Sequence, residues 1–90
     1  MNSHLTAKFR KLFANLPVSV QETAKKNYVL WKNNPGHPGL EFKKVNPALP
    51  IYSVRIGQDW RALGQREGDD IVWFWIGSHA DYDKLLSQLG

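Results

Sequence analysis

Two arginines, Arg55 and Arg61, flank a short turn beginning at Gly57, and His79 follows a third apolar run further along the chain. Arginine presents a planar fork that donates two parallel hydrogen bonds to a phosphate. Histidine is the side chain whose unperturbed pKa, roughly 6.5, lets it give and take a proton near neutral pH. Cleavage of RNA by attack of a 2′-hydroxyl needs a base for that hydroxyl, cations for the charge on the crowded phosphorus, and an acid for the leaving oxygen. Arg55, Arg61 and His79 could meet most of that need without a metal. Tyr82, close after His79, adds a hydroxyl, and Lys43 and Lys44 add cations suited to an RNA backbone.

Each residue also has a plainer role open to it. Arg55 on a half-exposed strand can be a solvated charge, and Arg61 can pair with Asp59 or Asp70. His79 can be a neighbour of a helix cap, and Tyr82, one turn into a helix, can be packing. His37 lies in a proline- and glycine-rich loop and His4 near the terminus, so neither is a candidate for chemistry. Trp73 and Trp75 read as core or as partner-binding surface rather than as platforms for bases.

The elements that must position these residues follow from periodicity. Thr6 can cap a first helix, in which Phe9, Leu12, Phe13 and Leu16 recur at helical spacing until Pro17. Residues before Thr6 could form a short edge strand. A second helix spans Val18 to Asn33, with Val20, Ala24, Asn27 and Trp31 on one stripe. Pro35, Gly36, Pro38 and Gly39 then break any helix. Leu40 to Val45 suggests a first strand, with a bulge or strand end near Lys43 and Lys44. In the next strand Tyr52, Val54 and Ile56 alternate with Ser53, Arg55 and Gly57, so Arg55 lies on the face opposite the apolar one. Trp60 to Gln65 returns, with Arg61, Leu63 and Gln65 sharing a face. The run from Ile71 to Ile76 does not alternate, which predicts a strand inside the sheet and covered on both sides. Ser78 and Asp81 have the spacing of a capping box for a last helix through Leu85, Leu86 and Leu89, ending at Gly90. A helix opening at His79 also offers its N-terminus to a phosphate. The expected fold is α+β: an N-terminal helical hairpin packed on a small antiparallel sheet of three to four strands, with a C-terminal helix.

Composition narrows the choice further. Ninety residues allow one domain, spanning residues 1–90. With no cysteine there is neither a disulfide framework nor a thiolate nucleophile. No metal or nucleotide motif is present, so neither metal nor cofactor is expected. The apolar runs are too short for a membrane span and the N-terminus has no leader-like segment, which predicts a cytoplasmic protein. Residues 1–66 carry eleven Lys and Arg against Glu22, Glu41 and Asp59, a net of +8, while residues 67–90 carry −4. Such asymmetry points to a polyanion or an acidic protein partner.

The stretches YSVRIG, WRALG and WFWIGSHADYDKLL, preceded by NPGHPGLEFKKV, resemble the RelE/ParE toxin superfamily of bacterial toxin–antitoxin systems over nearly the whole chain. The resemblance implies a toxin held by a cognate antitoxin with an acidic or amphipathic tail. For RelE-like members it implies an endoribonuclease that cuts mRNA on the ribosome. By position, Arg55 then matches a catalytic lysine or arginine, Arg61 the arginine of the following strand, and His79 the basic residue after the last strand. The chain departs at two places. Ser53, a candidate RNA contact, stands where RelE has a second lysine, and Leu85 or Leu86 stands where active members carry a tyrosine, so that Tyr82 must replace it or be core. A ParE-like inhibitor of DNA gyrase and a catalytically inactive RNA- or protein-binding homologue are the alternatives within the same resemblance.

Overall fold

The computed structural model describes residues 1–89. Its elements run β1 (Asn2–Leu5), α1 (Ala7–Ala14), α2 (Val18–Asn33), a 3-10 turn (Pro38–Leu40), β2 (Lys43–Lys44), β3 (Ile51–Ile56), β4 (Trp60–Glu67), β5 (Asp70–Ser78) and α3 (His79–Leu89). The strands form one sheet in the order β1-β5-β4-β3-β2. The fold is α+β as expected, but the sheet has five strands and is mixed. β1 pairs parallel with β5 while the other pairs are antiparallel. The partner of β1 lies at the far end of the chain, so nothing local in the sequence could announce that pairing. The expected end of the last helix at Gly90 lies outside the described residues.

The helix starts follow the sequence. Thr6 Oγ1 accepts the Phe9 N–H at 3.0 Å, satisfying one of the donors that a helix N-terminus leaves unpaired. Gln21 of α2 reaches back to the end of α1, its amide donating among the carbonyls of Phe13 (3.1 Å), Ala14 (3.3 Å) and Leu16 (3.1 Å). That contact fixes the corner between the two helices. The expected strand over Leu40 to Val45 is reduced to Lys43–Lys44, because Leu40 closes the 3-10 turn and Glu41 turns left-handed at φ 45°. Among the described residues no helix is long and apolar enough to cross a membrane.

The two faces of the sheet build two cores. On one, α1 and α2 cover Val54, Ile56, Ala62, Ile71, Trp73 and Ile76, with Phe9, Ala24 and Trp31 coming from the helices. On the other, Ile51 and Leu63 pack with Tyr82, and with the half-buried Phe74, Trp75, Leu85 and Leu86. The last helix therefore lies on the face opposite the helical pair. β5 does run inside the sheet, between β1 and β4, but it is not covered on both sides along its length. Ile71 and Trp73 are buried whereas Val72 is 36% exposed. A bulge explains why the strand reads as unpatterned. Leu63 pairs with Trp75 and Gly64 with Trp73, so Phe74 is an extra residue and the in–out alternation changes phase there.

Candidate functional site

The basic centre is built across three strands. Arg55 on β3 pairs with Arg61 on β4, which in turn pairs with Gly77 on β5. Residues directly opposite in antiparallel strands project from the same face, with Cβ atoms about 4.5–5.5 Å apart. The two arginines are thus neighbours on the α3 side of the sheet, and both are partly exposed. Like charges in that relationship oppose folding. Each guanidinium is held mainly by main-chain oxygen. Arg55 Nε donates to the Gly57 carbonyl at 2.9 Å, and Arg61 Nη1 donates to the carbonyls of Trp60 at 2.8 Å and Gln58 at 3.3 Å. Carbonyl acceptors orient a guanidinium without cancelling its charge. Among the described residues the one carboxylate within 4 Å of either guanidinium is that of Glu41, whose Oε1 is 3.7 Å from Arg55 Nη1. Arg61 pairs with neither Asp59 nor Asp70. Asn27 of α2 donates to the Arg55 carbonyl at 3.1 Å, tying the helical layer to the strand that carries the site.

His79 is placed where β5 ends. Ser78 on β5 pairs with Trp60, the residue beside Arg61. The His79 N–H donates to the Asp59 carbonyl at 2.7 Å, fastening the start of α3 to the β3–β4 turn. Ser78 Oγ accepts the Asp81 N–H at 3.1 Å and so caps the helix as the sequence predicts. The imidazole Nδ1 lies 3.1 Å from Asp83 Oδ2. A carboxylate at that nitrogen keeps a proton there in the neutral ring and leaves Nε2 as the atom able to exchange one. Asp83 has no role in the motif reading, although its i,i+4 spacing from His79 on a helix was a usable signal.

The remaining candidates separate by position. Tyr82 is 7% exposed and Ser53 2% exposed, and the tyrosine hydroxyl lies 3.3 Å from Ser53 Oγ. Both sit under α3, and only the ring of Tyr82 approaches His79, at 5.8 Å between centroids. Leu85 and Leu86 pack into the same core. Lys43 and Lys44 point to different sides: Lys43 pairs with Ser53 and shares the arginine face, whereas Lys44 pairs with Tyr52 and shares the other. Of the two remaining histidines, His37 Nδ1 accepts the Gly39 N–H at 3.0 Å and His4 lies 3.7 Å from Asp70, both away from this centre.

Comparison with solved structures places this architecture. The RelB–RelE antitoxin–toxin complex from Methanococcus jannaschii aligns with a TM-score of 0.73 at 17% identity, covering 91% of this chain and 96% of that one. YafQ from E. coli strain BL21(DE3) aligns with a TM-score of 0.72 at 13% identity, covering 90% and 96%. The isolated E. coli RelE toxin aligns with a TM-score of 0.63 at 15% identity, covering 99% and 98%. At these identities the likeness establishes the fold. No curated protein matches the sequence. The family model of the ParE-like toxin domain matches residues 18–84, well over half of the chain. The chain therefore belongs to the ParE-like toxin family, within the RelE/ParE superfamily of toxin–antitoxin toxins.

Proposed function

We propose that this toxin is a metal-independent endoribonuclease that cleaves mRNA on the ribosome and is silenced by a cognate antitoxin. The observation that carries the reading is the side-by-side placement of Arg55 and Arg61, with His79, its imidazole against Asp83, following Ser78, which pairs with Trp60 beside Arg61. In the proposed reaction the two guanidiniums bind the scissile phosphate and stabilise the charge that grows on its oxygens. His79 Nε2 takes the proton of the 2′-hydroxyl as the 2′-oxygen attacks phosphorus. The bond to the 5′-oxygen breaks, and that oxygen leaves with a proton from water. The products are a 2′,3′-cyclic phosphate and a 5′-hydroxyl. Lys43, on the same face, would hold a neighbouring phosphate. Tyr82 and Ser53 would reach RNA only if α3 lifted from the sheet. An antitoxin partner is supported by the fold likeness to the RelE toxin of the Methanococcus jannaschii complex. Expression of the toxin alone in a bacterium, followed by primer extension on mRNA, tests the reading. Discrete cleavage ends should appear with the parent and vanish with Arg61→Ala and His79→Ala, and cleavage that persists in both would refute the assignment.

A second reading is favoured by one feature of the same site. His79 is its sole exposed proton-transfer group among the proposed catalytic residues, since Tyr82 is buried. A toxin that binds DNA gyrase and performs no chemistry would need only the cationic surface. Inhibition of supercoiling by the purified toxin, with intact mRNA in expressing cells, selects that reading.

A further inference from the structure

The two tryptophans of β5 part company. Trp73 is 3% exposed and belongs to the core under α1 and α2, whereas Trp75 is half-buried and packs against the core on the α3 side. Two residues apart on a regular strand, they would share a face. The extra residue Phe74 at the bulge breaks that alternation and turns Trp75 to the other face. Leu63, opposite Trp75, lies two residues from Arg61 on β4, so the indole shares the face of the arginine pair. Its ring lies over Gly77, where a Cβ would come within 2.6 Å of Cζ2 and 2.8 Å of Cη2. Gly77 is the β5 partner of Arg61, so the bare backbone at that position lets the ring extend to the strand position beside the arginine. Trp31 and Trp73 pack edge to face at 5.4 Å between centroids. Among the described residues Trp75, by contrast, has neither a ring nor a cation against its π-face. A half-exposed indole next to a phosphate-binding arginine meets the two demands of an unpaired nucleotide, whose base offers a π-face and whose phosphate offers charge.

We propose that Trp75 is a base-stacking platform of the RNA site, holding the base of a nucleotide that adjoins the phosphate bound by Arg55 and Arg61. Its part is to position substrate and not to move a proton. A base fixed on the indole restrains the ribose attached to it, and with it the line along which the 2′-oxygen approaches phosphorus. Every base has a π-face, so the platform sets a position in the RNA rather than a sequence. The bulge is then the device that serves the site, since without it Trp75 would join Trp73 under the helices. The inference rests on the endoribonuclease reading for its substrate.

The test uses the purified toxin, fluorescently labelled, and ribosomes carrying an mRNA whose A-site codon bears 2′-methoxy groups, which cannot attack phosphorus. Fluorescence anisotropy reads binding, and an abasic nucleotide replaces each position of the codon in turn. At one position the abasic nucleotide should weaken binding of the parent toxin about tenfold, a difference of about 1.4 kcal/mol. Trp75→Leu should weaken binding to the intact codon by a similar factor and should no longer respond to that abasic nucleotide. Trp75→Phe, which keeps a π-face, should retain most of the affinity. Thermal melts establish that both variants are folded. Where either is not, the abasic series carries the test, because it uses the parent toxin alone. Parent binding indifferent to the abasic nucleotide at every position would overturn the proposal. So would equal losses in Trp75→Leu and Trp75→Phe, or a Trp75→Leu toxin that still loses tenfold on the abasic codon, since the indole would then be only packing. Cleavage ends from expressing cells are read separately. Ends without an abasic effect would leave the nuclease standing and remove the platform, an abasic effect without ends would do the reverse, and the absence of both ends and ribosome binding would overturn the two together.

Discussion

Asp83 Oδ2 lies 3.1 Å from His79 Nδ1, one turn further along α3. In the proposed reaction the carboxylate would act through the imidazole, by fixing the ring and its tautomer, rather than by touching RNA. His79→Ala should remove most of the cleavage, since a positioned general base contributes roughly 10²–10⁴-fold. Asp83→Ala should give a smaller loss, and Asp83→Asn should recover part of the ring's orientation but not its tautomer. Cleavage rates of the variants on mRNA in a reconstituted translation system, measured across pH, check this. A purely structural Asp83 would lower the amount of folded toxin and leave the shape of the pH profile unchanged.

Arg55 and Arg61 face each other across β3 and β4, and among the described residues Arg61 has no carboxylate partner, so the like charges should cost stability. Arg61→Gln should therefore stabilise the fold, by about 0.2–1 kcal/mol, while relieving growth arrest. Urea unfolding of the purified variant reads the first effect and plating under induction reads the second. A destabilised Arg61→Gln would show that the carbonyl contacts of Arg61 outweigh the repulsion.

Tyr82 and Ser53 should behave as core. Tyr82→Phe removes one hydroxyl contact, whose net worth is about 1 kcal/mol, and should preserve activity. Ser53→Ala should cost more, about 1–3 kcal/mol, because it strands the buried phenol. Tyr82→Ala should cost about 3–5 kcal/mol by opening a cavity under α3. Thermal melts of the three variants rank them. A Tyr82→Phe toxin of unchanged stability but without cleavage would instead place the hydroxyl in the reaction.

Gly64 sits at the β4–β5 bulge, where a Cβ would come within 2.8 Å of both Ile71 and Trp73 side chains. Gly64→Ala should destabilise by about 1–3 kcal/mol through overpacking. Gly77 is similar, since a Cβ there would meet the Trp75 ring at 2.6 Å. Gly77 also faces Arg61, so Gly77→Ala should lower activity along with stability, whereas Gly64→Ala should lower stability alone. Unfolding and cleavage measured on the same preparations separate the two.

What the sequence alone determined is what short-range physics encodes. Helical periodicity set α2 at the bounds the structure has, Thr6 and Ser78 marked caps that form, and alternation put Arg55 on the face of its strand opposite Tyr52, Val54 and Ile56, while the register of β3 on β4 set Arg61 beside it. Each of these depends on residues within one or two turns or one strand of each other. What the tertiary structure decided depends on partners distant in the chain. β1 pairs with β5 from the opposite end of the chain, and the bulge at Leu63 and Gly64 changes the phase of β5 and makes an alternating strand read as a continuous apolar run. Pairing with β3 sends Lys43 and Lys44 to different faces. Docking of α3 opposite the helical pair buries Tyr82 on Ser53 while leaving His79 at the edge with Asp83. A three-residue step along one helix thus separates a buried side chain from an accessible one, because only packing says which side of the helix meets the sheet.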